Sequence, residues 1–381
     1  MGIKILITGD YCPIGRTKEL LEAGNYEDVF GLFTPYIEQS DFAITNLEAP
    51  LTNSTNEIEK TGPNIKAPKA LLKPLKSISF NAVTLANNHI MDYGAQGLSS
   101  TINICEDEKI RFVGAGKNLD EARKPLTITV NSKKIAIINI AENEFCAATK
   151  DRSGANPLNL ITNHYDIKKA KTENDFVIVI SHGGREHYQL PSPQLRERYR
   201  FFIDSGADTV IGHHTHCYSG YEHYNNKLIF YSLGNFIFDY KKKYQKGLWT
   251  QGYGVMLNIE DEKINFDLIP FNQGRENKSK LELLKGEEKN VFDAKIDELN
   301  TIISNDVLLE KAWSKYIETQ KKSYKANLFI QNRYVRALIS RGLLPEFYFH
   351  SKKHQTLLFN LFRCETHREI MIDVLKEDYE F

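Results

Sequence analysis

The residues best equipped for chemistry are histidines, carboxylates and amides that recur at the ends of short apolar runs. Gly212-His213-His214-Thr215-His216 carries His214 and His216, which a loop leaving a strand can turn toward one metal cluster. Asn88 beside His89 offers a neutral carbonyl oxygen next to an imidazole, and His182 adds a further nitrogen after the run Val177–Ile180. Asp10 and Glu48 bring hard anionic oxygens, and a carboxylate such as Glu48 has two of them with which to bridge two cations. Mixed nitrogen and oxygen donors admit manganese, zinc or iron. Two such ions hold both the attacking and leaving oxygens of a displacement. They also acidify a water toward neutrality, so that no strong protein base is needed.

The elements that must position these groups are legible as a rhythm. Ile3–Thr8, Phe42–Thr45, Ala82–Ala86, Lys134–Ile140, Phe176–Ser181, Thr209–Ile211 and Leu228–Ser232 are apolar runs bounded by turn residues and predict buried strands. Thr17–Phe33, Pro68–Ser77, Gly97–Glu108, Ile167–Glu173 and Ser192–Ser205 predict helices between them. The alternation predicts an α/β domain with a largely parallel central sheet. Ligands of such sheets gather beyond the carboxyl ends of strands. An Asp or Asn there is commonly a turn former, and a lone His commonly a structural hydrogen-bonding residue. Turn chemistry does not explain their recurrence at the same end of successive strands.

Beyond about Arg275 the texture changes. Val307–Leu309, Trp313, Tyr316–Ile317, Tyr324 and Leu328–Phe329 recur at helical spacing, and Leu357–Phe362 and Ile370–Leu375 predict further helices. A boundary near residue 280 divides the chain into a main domain, 1–280, and a helical extension, 281–381. The extension is either an accessory layer packed on the main domain or a partner-docking module.

Several longer motifs occur in order: Thr8-Gly9-Asp10, Asn46-Leu47-Glu48, Ala86-Asn87-Asn88-His89 with Asp92 and Gly94, His182-Gly183-Gly184 with Glu186, Gly212-His213-His214 with His216, and Phe230 through Asp239. Together they resemble the CapA family of capsule-biosynthesis proteins, named for poly-γ-glutamate synthesis, within the calcineurin-like metallophosphoesterases. The resemblance spans about residues 3–270. It implies a layered α-β-β-α sandwich flanked by helices, with the C-terminal helices added to it, and two divalent ions (Mn, Zn or Fe). By this resemblance Asp10 and His216 hold one metal, Asn88, His182 and His214 the second, and Glu48 bridges them. His89 is implied as general acid or oxyanion donor, Asp92 as the group orienting it, and Glu186 as a general base or substrate contact. Asn235 and Asp239 shape the surrounding loop. The sequence departs from the pattern twice: Cys12 stands where metallophosphoesterases carry a histidine, and His-Gly-Gly replaces His-Trp-Gly. The first raises the question of a thiolate ligand, and the second removes an indole wall.

The bulk properties are those of a globular protein. Among 381 residues, Lys+Arg 49 balance Asp+Glu 49, which argues against a protein that coats nucleic acid, and no nucleic-acid-binding motif or P-loop is visible. The N-terminus has no secretory leader pattern and no run reaches a membrane span, so the expected location is cytoplasmic or peripheral to a membrane. The five cysteines are scattered and fit neither a disulfide framework nor a zinc ribbon. Three functions follow. One is a metal-dependent hydrolase of the phosphoesterase type, acting on a small molecule or polymer of capsule or cell-surface synthesis. The second is a metal-dependent γ-glutamyl amide hydrolase. The third is a non-catalytic assembly or transport component, partnered with the capsule-synthesis machinery.

Overall fold

The computed structural model describes residues 2–261, 263–328 and 351–376, together with 334, 338, 341 and 343. Apart from a two-stranded pairing of Ala115–Gly116 with Gly154–Ala155, its strands are β1 Ile3–Tyr11, β2 Phe42–Leu47, β3 Ala82–Thr84, β4 Arg111–Val113, β5 Leu126–Val130, β6 Lys133–Ala141, β7 Phe176–His182, β8 Thr209–His213, β9 Tyr221–Tyr224, β10 Lys227–Phe230, β11 Asn235–Ile237, β12 Gln251–Glu260, β13 Lys263–Asn272 and β14 Glu282–Leu283. They form two large sheets. One runs β14-β13-β12-β1-β2-β3-β4, with β11 added at the end of β1; the other runs β9-β10-β8-β7-β6-β5.

Alternation along β1 explains the stacking. Ile3, Ile5 and Ile7 point into a core shared with Ile135, Ile137, Val177 and Val179 of the second sheet, whereas Leu6 points to the opposite face. That opposite face is covered by helices including α1 Gly15–Glu22 and α2 Gly94–Asp107, the latter through Leu98, Ile102 and Cys105. Helices α3 Leu160–Glu173 and α4 Pro193–Asp204 cover the second sheet. The result is the helix-sheet-sheet-helix layering. Helix α4 starts on Ser192, whose hydroxyl accepts from Leu195 N, with Pro193 in the first turn.

Two expectations are corrected here. The βαβ rhythm reads as one largely parallel sheet, but the strands divide between two, and β12–β14 join the first sheet antiparallel. Periodicity marks strands and says little about which sheet each one joins. The helix expected over Thr17–Phe33 breaks after Glu22, because Gly24 adopts φ +81 and ends it.

After the sheets come α5 Gly286–Ile303, α6 Asp306–Leu328, α7 Lys352–Arg363 and α8 Glu365–Lys376. Helix α5 sends Phe292, Ile296, Leu299 and Ile303 into the main core. Trp313, Ile317 and Tyr324 of α6 pack on Ile370, Met371 and Val374 of α8. Phe329, expected to continue this helical pattern, lies outside the described residues.

A buried polar seam ties α8 to the sandwich. Thr366 donates to Glu142 at 2.7 Å, Arg198 donates to the same carboxylate at 3.0 Å, and Ser192 donates to Glu369 at 2.6 Å. Burial pushes the Glu369 carboxyl up to about 7, against the opposing pull of Ser192 and Arg198. An acid whose folded pKa exceeds its unfolded value costs stability as pH climbs through that interval, here from 4.5 to about 7. Glu369→Gln is therefore expected to melt higher than the parent above about pH 7 and to match it below about pH 4.5, a difference of at most about 3 kcal/mol. Melting curves of both proteins across that range check it.

Candidate metal centre

The first sheet delivers its carboxylates through a close backbone approach. A Cβ on Gly9 would lie 1.8 Å from the Gly234 carbonyl oxygen, so only glycine lets β1 reach that turn. Asp10 N donates to the same carbonyl at 3.2 Å, and the register of β1 against β2 shifts between Thr8 and Asp10. Asp10 then stands beside Asn46, whose side-chain amide donates to Asp10 Oδ1 at 2.8 Å. Glu48 follows β2, Asn88 and His89 follow β3, and His182 ends β7.

The loop after β8 is strained where it matters. His214 and His216 adopt φ +93 and +55, a region costly for residues other than glycine. This backbone turns both imidazoles back over the carboxyl ends of the strands. Asn235 Oδ1 lies 2.9 Å from His216 Nδ1 and as acceptor orients the ring, with His216 Nε2 3.7 Å from Glu48 Oε1.

The six residues expected to ligate metal converge. His182 Nε2 lies 3.0 Å from Asn88 Oδ1, 3.1 Å from His214 Nδ1 and 3.6 Å from Glu48 Oε1. His216 Nδ1 lies 3.5 Å from Asp10 Oδ2. Two ligand-capable groups result, Glu48 with His182 and His214, and Asp10 with Glu48 and His216, all buried and sharing Glu48. Donors at about 2.0–2.2 Å from a divalent cation stand roughly 3.0–3.5 Å from one another, and the separations here run from 3.0 to 3.7 Å. Among the described residues both Glu48 oxygens are buried without a hydrogen-bond partner, and a carboxylate so placed is ionised only where a cation completes it. The residues present thus fit a pair of cations, and the donor set does not select which.

Electrostatics follow from burial. Desolvation and the neighbouring Asp10 push Glu48 well above the usual carboxylate range. Burial opposes ionisation of Asp10 too, but the hydrogen bond from His216 and the charges of His182 and His213 hold its carboxyl below that range. Burial and mutual repulsion lower His182, and His214 falls to about 4, so both are neutral imidazoles suited to ligation.

His89 borders the cluster. Its Nδ1 lies 2.6 Å from Asp92 Oδ2, which also accepts from Ile65 N at 2.7 Å. Lys60, nearly buried, pairs with Asp92 and lies 3.3 Å from His89 Nδ1. With Nδ1 so engaged, Nε2 is the ring nitrogen left for the cleft. Glu186 lies on the cleft's half-exposed rim; burial works against its charge, but His214 and His216 hold its carboxyl down to about 2. Asp239 does not face the cluster and instead takes a two-pronged ion pair from Arg16.

Sequence reasoning missed Lys60, which no motif marks, and the indole of Trp249, whose ring centroid lies 4.6 Å from that of His216. It left Cys12 open as a ligand. Cys12 is buried among apolar side chains and outside both ligand-capable groups, and burial followed by the charges of Glu48 and Asp10 raises its thiol far above normal. The missing indole of His-Gly-Gly also has a local cause. A Cβ on Gly183 would lie 2.5 Å from Glu142 Cγ, the residue that anchors α8. Gly183→Ala is expected to destabilise the protein by about 1–3 kcal/mol through this overlap, read as a lowered melting temperature.

Comparison with known proteins agrees with these motifs. The family described as bacterial capsule synthesis protein PGA_cap matches residues 4–240. The chain is 32% identical over 247 residues to the capsule biosynthesis protein CapA of Bacillus anthracis, covering 62% of this chain and 60% of that one. It is 34% identical over 235 residues to the PGA biosynthesis protein CapA of Bacillus subtilis, covering 61% and 62%. The chain thus spans about 60% of the length of these curated relatives. A hypothetical protein from Thermus thermophilus superposes with TM-score 0.45 at 11% identity over 71% of this chain and 99% of that one, a likeness too loose to bear on the site. With the family model matching well over half of its residues, this chain belongs to the bacterial capsule synthesis protein family PGA_cap.

Proposed function

We propose that this protein is a divalent-metal-dependent hydrolase of the phosphoesterase type that acts in capsule or other cell-surface polymer synthesis. The observation that carries this reading is Glu48, a buried carboxylate with two unpartnered oxygens shared by two ligand-capable groups. Asp10, Glu48 and His216 would hold one ion, and Glu48, Asn88, His182 and His214 the other. When bound, such ions supply Lewis acidity toward a phosphoryl oxygen and a water acidified to near neutrality.

The chain's own residues do the rest. His89, with Nδ1 held by Asp92, directs Nε2 at the cleft, where it donates a proton to the leaving oxygen or a hydrogen bond to developing charge. Burial and Lys60 lower the pKa of His89, while Asp92 acts against them, so the proton is readily given up. Glu186, ionised on the rim, can accept a proton from incoming water or from substrate. The capsule role rests on the family and on the relatives' names.

The test is turnover by the purified full chain with added manganese, zinc or ferrous iron on phosphomonoesters, phosphodiesters and a γ-linked glutamyl oligomer. Phosphate or alcohol release that His182→Ala abolishes is the expected result. Glutamate release without phosphoester turnover would move the chemistry to amide hydrolysis. No turnover with any metal, and rescue of a deletion strain by the Glu48 and His214 variants, would leave a non-catalytic assembly component.

A further inference from the structure

The residues matched by the family model stop at 240, yet the cleft beside the metal centre is closed by chain far beyond it. A cavity of about 250 Å³ lies between His89, Glu186 and His214 on one side and Asn360, Thr366 and His367 of α7 and α8 on the other. That volume admits a small molecule or a chain end rather than a long stretch of polymer.

Arg185 is the unusual group in this cavity. It is largely buried, and its hydrogen-bond partners among the described residues are neutral: Nε donates to the Tyr316 hydroxyl, and Nη2 donates to Gln320 Oε1 at 3.4 Å. A guanidinium that has left water normally pairs with a carboxylate. Here two contacts from α6 hold the fork in place, and no carboxylate among the described residues hydrogen-bonds the remaining N–H groups. Two further groups lack a complement. Asn360 is 3% exposed, lines the cavity, and its Oδ1 has no hydrogen-bond partner among the described residues. His367 engages Tyr324 through Nδ1 at 2.8 Å, which leaves Nε2 for the cavity. Glu144 and Glu186 also border the space, so an anion there depends on Arg185 and on cations at the metal centre to outweigh them.

Building on the hydrolase reading, we infer that Arg185 anchors a second oxyanion group of the substrate, a carboxylate or a phosphate, beneath a roof formed by α7 and α8, with Asn360 accepting a hydrogen bond from the same substrate. The enzyme would then act on a small anionic molecule or an anionic chain end, with the scissile group at the metal centre and the second charge held at Arg185. An aligned guanidinium binds such a group through two parallel charge-assisted hydrogen bonds, which lysine cannot reproduce.

The test has a catalytic arm and a binding arm. With the manganese-loaded full chain, kcat/KM is measured on bis(p-nitrophenyl) phosphate and on p-nitrophenyl phosphodiesters whose second ester group bears a carboxylate or a phosphate. Arg185→Gln should lower kcat/KM for the diesters bearing the second charge roughly 10- to 100-fold and leave bis(p-nitrophenyl) phosphate, which lacks it, within about 2-fold. Whichever charged diester is the more affected identifies the source of the oxyanion. In the binding arm, inorganic phosphate and glutarate are titrated calorimetrically into the manganese-loaded full chain, and Arg185→Gln should weaken the better binder by a similar factor. Asn360→Leu serves as a second variant, since it removes an unsatisfied buried polar atom, should fold at least as well as the parent, and should raise KM with little change in kcat. Absence of turnover with any metal, together with Arg185-dependent anion binding, would refute the hydrolase and keep the anchor. Turnover with every diester equally insensitive to Arg185→Gln and Asn360→Leu would refute the anchor and keep the hydrolase.

Discussion

Glu48→Gln is expected to reduce hydrolysis by at least roughly a thousandfold and to lower bound metal from about two equivalents to one or none, because a neutral amide cannot bridge two cations through paired anionic oxygens. The same substitution should act in the opposite sense on the metal-free protein. There, two buried oxygens without partners stand beside a second buried carboxylate. Without metal the folded chain must hold Glu48 protonated at a cost, and replacing it with a neutral amide should stabilise the apo fold by about 1–3 kcal/mol. The parent should therefore melt below the variant after chelation and above it in excess manganese. This crossover separates a metal ligand from a residue of purely structural value, which would lower both melting temperatures.

Asp92→Asn is the second large effect. Asp92 holds His89 Nδ1 at 2.6 Å and pairs with Lys60, so the variant loses both the orientation of the ring and the charge that keeps its proton available. A fall of about 10²–10⁴ in kcat is expected, with metal content unchanged. The loss should be greatest for alkyl leaving groups, which need a proton, and smallest for nitrophenolate, which does not. Equal losses for both would assign Asp92 to the architecture of the loop alone.

Much of the candidate metal centre is legible because it is assembled from strand ends. Asp10, Glu48, Asn88, His182, His214 and His216 each follow a short apolar run; each of the two sheets places the ends of its own strands together, and their stacking brings the two sets face to face. The order of the motifs then fixes the family. What resists reading is set by contacts across long stretches of sequence. Lys60 reaches Asp92 from a loop without regular pattern, and Trp249 meets His216 only because β12 returns antiparallel to β1. Strand β13 escapes a hydrophobic scan because the first six of its ten residues alternate exposed with half-buried positions. The seam joining Glu142 to Thr366 spans 224 residues, and nothing local to either residue announces that helices after residue 350 close the cleft. The break at Gly24 is local chemistry that helix periodicity alone overrode.

The central claim is that Glu48 lies between two bound cations. Its most direct measurement is a crystal of the manganese-soaked protein, with an anomalous difference map recorded at a wavelength where manganese scatters strongly. Two peaks on opposite sides of the Glu48 carboxylate, one also touching Asp10 and His216 and the other also touching Asn88, His182 and His214, are the predicted result. A map with no peak at Glu48 at saturating metal, or with its peaks bound elsewhere on the chain, would contradict it.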